Sequence, residues 1–414
     1  MKCAAIIAEF NPFHNGHKYI IEEVKKRTGA DKVLIIMSGD FVQSGKPAIL
    51  SKEVRTRQAL LGGADLVIMI PAIASTASSE FFAFGAVSIL KSLGVVDYLG
   101  FGAETDNLEL LEAATEILSQ EPEEYKASLR TYLKQGCAFP LARQKALEDY
   151  MGADATFLSG SNNLLAIEYL RALKYFCSDI KPVVICRKSV SHLDTVIKDE
   201  GFASATAIRN SVFAGELSQI SGMMPKESYD ILSREEVMNP DCLVYIYASR
   251  LFSSPEEELN TCSDSTEELT RHLLKCVVTA NTDSYDNFVR TLQPKNITFS
   301  RLSRFLCHVM LNISSEIVME YKEHDYHSYV RILGFKKDAS YLLSAIKEKS
   351  SIPIISKPSS GKKIISEFYD DNLTPLIEEI FDMDLRCSNL YSFLLHLQTE
   401  KKYISEEQKQ IIII

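Results

Sequence analysis

The chain opens on an apolar run, residues 4–10, that stops at Asn11-Pro12, turns through Phe13-His14-Asn15-Gly16 and resumes at His17 with helical spacing. This predicts a buried strand, a tight loop and a helix over 17–27. The alternation recurs through the first half of the chain. Short apolar runs at 32–37 (KVLIIM), 65–70 (DLVIMI), 95–101 and 181–186 (KPVVIC) read as strands, and 52–61, 78–93 and 164–176 carry helical periodicity. Strands and helices in turn, joined by short connections, predict a doubly wound parallel α/β sheet. Residues 107–151 read as three helices, a helical insertion. Beyond about residue 215 the alternation ceases, and the spacing is helical over 241–252, 267–281, 284–292, 298–311 and 340–347. The expected organisation is an α/β domain over 1–215 and a mainly helical C-terminal domain over 216–414.

Composition narrows this picture. A length of 414 residues exceeds what one core usually supports, in keeping with two domains. With 46% hydrophobic and 24% charged residues, the chain is of the folded, globular class. No apolar run approaches the ~18 residues of a membrane span, and the start lacks the basic and apolar regions of a secretion signal. A cytoplasmic protein without a membrane partner is expected. The nine cysteines are dispersed with no close pair, which suggests reduced thiols packed as small hydrophobes and no metal site. A formal charge of −10 excludes a general nucleic-acid coat protein, and no DNA partner is expected. RNA contact would need local cations, and the candidates are Arg290, Lys295, Arg301 and Arg304, then Arg331, Lys336 and Lys337, then Lys362 and Lys363.

The first loop carries the chemistry. In an open parallel sheet the loop after a strand's carboxyl end borders the ligand crevice, and the next helix presents unpaired N–H groups to an anion. His14 and His17 therefore stand at a candidate phosphate site, where two ring N–H donors would stabilise charge on a leaving pyrophosphate. Gly16 removes a Cβ where the backbone must approach a ligand closely. Residues 38–47 (SGDFVQSGKP) form a polar loop on the same edge. Gly102 lies just past a strand end, where it either admits an adenosine or is a plain turn glycine. Asn162 and Asn163 open a helix, as caps, as ligands or as both. Arg187 and Lys188 follow the strand over 181–186 directly, placed to neutralise phosphate. The run 203–209 (ASATAIR) opens another helix, with Ser204 and Thr206 as cap or ligand residues.

The His-x-Gly-His pattern resembles the HIGH-type nucleotidyltransferase superfamily. The longer string AEFNPFHNGH is similar to the bacterial tRNA(Met) cytidine acetate ligase family, as are MSGDFVQSGKPA, SNNLLAIEYL, SATAIR, YVRILGF and SIPIISK, so the resemblance runs to about residue 390. It implies that ATP, with Mg²⁺, activates acetate as acetyl-adenylate, and that the acetyl group passes to N4 of the wobble cytidine of elongator tRNA(Met). It implies His14 and His17 as catalytic residues, and Ile7, Asn11, Gly16, Gly102, Asn162, Arg187, Lys188, Ser204 and Thr206 as further nucleotide-binding residues. The chain departs from the family pattern at Ser44, where relatives usually carry arginine, and at Lys46, where they carry glutamate. Rival readings are an acetate ligase with a protein-bound thiol acceptor, similar to citrate lyase ligases, a nucleotidyltransferase acting on a coenzyme precursor, and a non-enzymatic RNA-binding protein.

Overall fold

The computed structural model describes residues 1–152, 157–158, 160–187 and 201–414. Its centre is the expected sheet. Strands β1 (Cys3–Ala8), β2 (Lys32–Ser38), β3 (Leu66–Ile70), β4 (Tyr98–Ala103) and β5 (Lys181–Cys186) run parallel in the order β5-β4-β1-β2-β3. The chain winds outward from β1 through β2 to β3, then crosses back to place β4 on the other side of β1. The carboxyl ends of β1 and β4 therefore diverge at the point where the winding reverses, which is where ligands bind in such sheets.

Period-two alternation explains why the strands lie in the middle. Cys3, Ala5 and Ile7 of β1 join one buried apolar cluster with Leu34, Ile36, Leu66 and Ile68. Ala4 and Ile6 join the cluster on the opposite face with Val33, Ile35, Val67 and Ile21. A strand covered on both faces needs apolar residues at every position, hence the continuous runs in the sequence. The three helices of the insertion, Leu108–Gln120, Glu123–Lys134 and Phe139–Met151, follow their predicted span closely.

The C-terminal half is mainly helical, as expected, but it also returns to the sheet. Strand β6 (Val330–Phe335) pairs antiparallel with β3, β7 (Ile354–Ile355) pairs with β6, and β8 (Ile412–Ile413) pairs parallel with β6. The sequence reading assigned no strand after residue 215. Six residues between helices, with Arg331 and Gly334 among them, do not identify a strand by spacing alone. Gly334 makes room for the chain end, since a Cβ there would lie 2.7 Å from the Ile412 carbonyl oxygen. The helix Thr374–Gln398 extends the same core, with Leu376, Ile380, Tyr391 and Leu395 buried.

A buried ionic cluster ties this half to the loop after β2. The Lys52 ammonium is fully buried and donates to Asp40 Oδ2 (2.7 Å), Ser388 Oγ (2.9 Å) and Glu406 Oε2 (2.7 Å). Arg331 donates to the other Glu406 oxygen at 3.2 Å. Burial alone would lower the lysine's value, but Asp40 and Glu406 more than offset it and hold the ammonium charged. Among the described residues, no helix is long and apolar enough to cross a membrane.

Candidate functional site

A cleft of about 350 Å³ lies outside the carboxyl ends of β1 and β4. Ile7, Asn11, His14, His17, Gly102, Asn162 and Arg187 all line it. Residues far apart in sequence meet there because the reversal of winding brings both strand ends to one crevice.

The histidine pair is held by the helix it opens. His14 is the N-cap of Asn15–Thr28, and its Nδ1 accepts the Gly16 N–H at 3.0 Å. His17 Nδ1 in turn accepts the His14 N–H at 3.2 Å, closing a capping box built from imidazoles in place of hydroxyl and carboxylate. Because each Nδ1 is an acceptor, the ring proton sits on Nε2 in both residues. The rings stack with centroids 3.7 Å apart, and Phe10 packs edge-on against His17 at 4.8 Å. Phe10 adopts φ 50°, a left-handed conformation costly for a bulky residue, and buries its ring beneath the pair. Gly16 serves the histidine more directly than a ligand. A Cβ there would stand 2.8 Å from His14 Cε1, inside contact distance of the ring it caps with.

The turn after β1 is clamped from three sides. Asn11 Oδ1 accepts the Ile49 N–H (2.9 Å), Arg209 donates to the Asn11 carbonyl (2.8 Å), and Arg55 donates to the Glu9 carbonyl (2.6 Å). The fully buried Arg55 guanidinium also binds the carbonyls of Leu50, Ser38 and Gly39, so one side chain ties the ends of β1 and β2 together. Burial lowers its value from that of a free guanidinium, against the pull of Asp40 and nearby carboxylates.

On the opposite wall Arg187 donates to Asn162 Oδ1 at 3.0 Å, and burial lowers the arginine's value against the attraction of Glu104. The capping reading of Asn162 and Asn163 does not hold. The helix Ser161–Tyr175 begins at Gly160 with no side-chain cap of its own. Its first N–H groups are satisfied by Glu104, whose carboxylate accepts from Asn162 N (3.2 Å) and Asn163 N (2.8 Å). Gly160 leaves space for that carboxylate, since a Cβ would meet Glu104 Oε2 at 2.4 Å. Gly102 likewise leaves space for Ile20 and Arg187 beside the cleft.

Ser204 caps the helix Ala205–Phe213 by accepting the Ala207 N–H at 3.0 Å, and lines neither this cleft nor the one beside it. Thr206 accepts from Arg209 (2.9 Å) and faces the neighbouring cleft. Lys188 lies outside the described residues.

Sequence reasoning passed over Glu9, which lines this cleft from within a run read simply as apolar. Its Oε1 accepts the Gln43 N–H at 2.8 Å, and burial raises its carboxyl above the ordinary value, against the opposing charges of Arg209 and Arg55. The residues that depart from the family pattern, Ser44 and Lys46, line the neighbouring cleft instead, where Lys46 pairs with Asp286 at 2.6 Å. Arg331, read as a surface cation for RNA, is buried against Glu406 and the Ser356 carbonyl and is withdrawn from any such surface.

A family model described as HIGH Nucleotidyl Transferase matches residues 1–407. A tRNA(Met) cytidine acetate ligase of Clostridium perfringens is 36% identical to this chain, over 95% of it and 96% of the relative. Two crystal structures of Thermotoga maritima TmcAL share the fold. The apo form has a TM-score of 0.92 at 29% identity and covers 100% of both chains. The form bound with alpha-thio ATP has a TM-score of 0.90 at 28% identity, covering 100% of this chain and 99% of the other. The match takes in every strand but the last two-residue one, so the cleft at the reversal of winding and the helical half around it come together: this chain belongs to the tRNA(Met) cytidine acetate ligase family of HIGH nucleotidyl transferases.

Proposed function

We propose that this protein is an ATP-dependent acetate ligase that acetylates N4 of the wobble cytidine in elongator tRNA(Met). One observation carries the reading: the paired imidazoles of His14 and His17, each with its proton on Nε2, line a cleft at a helix N-terminus in a chain collinear with such ligases. The cleft suits a nucleoside triphosphate. The two imidazoles and the Arg187 guanidinium line one volume beside the start of a helix, whose own first N–H groups are taken by His14 and by the Met223 carbonyl.

In the first half-reaction an acetate oxygen attacks the α-phosphorus and pyrophosphate leaves. His14, His17 and Arg187 stabilise the charge that accumulates on the leaving group, and Arg209 with Thr206 closes the side toward the neighbouring cleft. Mg²⁺ would be held by the phosphate oxygens of the nucleotide and would supply charge neutralisation on the leaving group beside Arg187. In the second half-reaction the cytidine amine attacks the acetyl carbon and AMP departs. The exocyclic amine is a weak nucleophile, hence the need for an activated acyl donor. A tRNA substrate and nine cysteines dispersed along the chain support a cytoplasmic location.

The test is incubation of the purified protein with ATP, Mg²⁺ and labelled acetate, with and without elongator tRNA(Met), followed by nucleoside analysis. Label in acetylcytidine only when that tRNA is present is the expected result. Pyrophosphate release without labelled RNA would keep the adenylate chemistry and move the acceptor to a thiol.

A further inference from the structure

A second cleft, of about 590 Å³, lies beside the nucleotide cleft. Glu9, Asn11, Ala205 and Arg209 line both, so the two volumes share one wall. The far side of the second cleft comes from the helical half, through Asn239, Asp241, Tyr285 and Asp286. Its rim carries Phe213, the last residue of the helix Ala205–Phe213, with an aromatic side chain left 46% exposed.

We propose that this second cleft receives the acceptor nucleobase: a cytosine unstacked from a single-stranded RNA loop lies on Phe213 and points its exocyclic amine at Glu9, whose carboxylate takes the amine's proton during acetyl transfer. This rests on the ligase reading above and assigns the acceptor side of it. Four observations support it.

The acyl donor, once formed, occupies the nucleotide cleft, so the acceptor must arrive from a volume that adjoins it. Among the described residues another recess adjoins it, lined by Tyr19 and Phe202, but it holds about 30 Å³ and has no room for a pyrimidine ring. Single-stranded RNA is recognised by stacking splayed bases on aromatic rings, and Phe213 offers such a ring at the mouth. An exocyclic amine donates hydrogen bonds, and carboxylates are its usual partners in base recognition. The cleft presents Glu9, Asp241 and Asp286. Of these, only Glu9 also faces the cleft where the acetyl group would lie, and it is fixed there by the Gln43 N–H.

The step balances without another reactant. A bond forms between N4 and the acetyl carbon, the bond from that carbon to the adenylate oxygen breaks, AMP leaves with the electron pair, and one N4 proton passes to the Glu9 carboxylate. A well-placed base of this kind contributes on the order of 100-fold or more to such a transfer.

The experiment separates the half-reactions in the full-length protein. Acetate-dependent ATP–pyrophosphate exchange reports the first. Single-turnover transfer of labelled acetyl from preformed enzyme-bound acetyl-adenylate to tRNA reports the second, and is expressed per adenylate bound. Glu9→Gln keeps an oxygen for the Gln43 N–H but removes the base. Transfer per adenylate is expected to fall on the order of 100-fold. Phe213→Ala, outside the nucleotide cleft, is expected to raise the KM for tRNA roughly 10-fold with exchange unaltered, the size of effect that loss of base stacking produces. Unchanged transfer per adenylate in Glu9→Gln, or an unchanged KM in Phe213→Ala, would overturn the assignment. A wild-type protein without acetate-dependent exchange would instead remove the ligase reading on which it stands.

Discussion

At the scale of the residue, the site depends on groups that hold the histidines as much as on the histidines. Gly16 is the sharpest case. Its missing Cβ leaves the space that His14 occupies, 2.8 Å away, and the same ring accepts the Gly16 N–H. In an exposed helix turn, glycine to alanine would add about 1 kcal/mol of helix stability. Here that gain is set against a ring pushed off its cap. Gly16→Ala is expected to leave unfolding stability within about 1 kcal/mol of wild type. Acetate-dependent ATP–pyrophosphate exchange should fall by roughly 100-fold or more, the usual consequence of losing one pre-aligned donor. Exchange at the wild-type rate would show that the His14 ring need not sit where its cap holds it. The motif around Gly16 was legible in the sequence because its residues are neighbours. Glu9 and Glu104 were not, since each acts through partners far along the chain: Gln43 for one, and the helix start at Asn162 and Asn163 for the other. No local spacing announces a carboxylate that caps a helix 58 residues away.

At the scale of the element, the five parallel strands and the insertion could be read from apolar runs because both faces of the sheet are covered. β6 and β8 could not, because their place beyond β3 is decided by long-range pairing, β6 on β3 and β8 on β6, and the isoleucine run at the chain end shows no period. What fixes these late elements is the buried cluster around Lys52. Lys52→Met would strand Asp40 and Glu406 as buried carboxylates without their shared cation, and breaking such a cluster costs about 3–5 kcal/mol. Denaturant titration should show that loss. A change under ~1 kcal/mol would mean the cluster adds little beyond packing. The helix Thr374–Gln398 adds a pH dependence. Asp384 accepts from Ala72 N at 2.6 Å and from the Tyr329 hydroxyl, with Lys52 and Glu406 nearby, and burial pushes its carboxyl up from 3.8 to about 7. The folded protein therefore holds this proton more tightly than the unfolded chain does. The stabilisation is complete below the unfolded value of 3.8 and is lost as pH rises through about 7. Asp384→Asn should flatten the decline in stability between about pH 4 and pH 7. Parallel pH curves for variant and wild type would assign the decline to other groups.

At the scale of the whole molecule, a chain with a formal charge of −10 must attract a polyanion through a local field. Several cations proposed for that role are already engaged. Arg331 is buried, Arg304 pairs with Asp264 at 3.3 Å, and Lys362 pairs with Asp382 at 2.6 Å. Arg290, Lys295 and Arg301 are better placed. Arg290 stands on the helix Tyr285–Leu292, which also supplies Tyr285 and Asp286 to the second cleft, and its guanidinium lies 5.4 Å from the Phe299 ring. Arg301 follows on Phe299–Leu311, with Lys295 in the turn between the two helices. If RNA phosphates run along this turn to deliver a base to the cleft, each lost contact removes about 0.7 from the slope of log affinity against log salt. Reversing all three charges to glutamate should therefore reduce that slope by roughly 2 and raise the KM for tRNA most steeply at low salt. Pyrophosphate exchange, which needs no RNA, should be untouched. A parallel shift of affinity at every salt concentration would point to a change in shape rather than in phosphate contacts, and the footprint would then have to be sought on another face of the helical half.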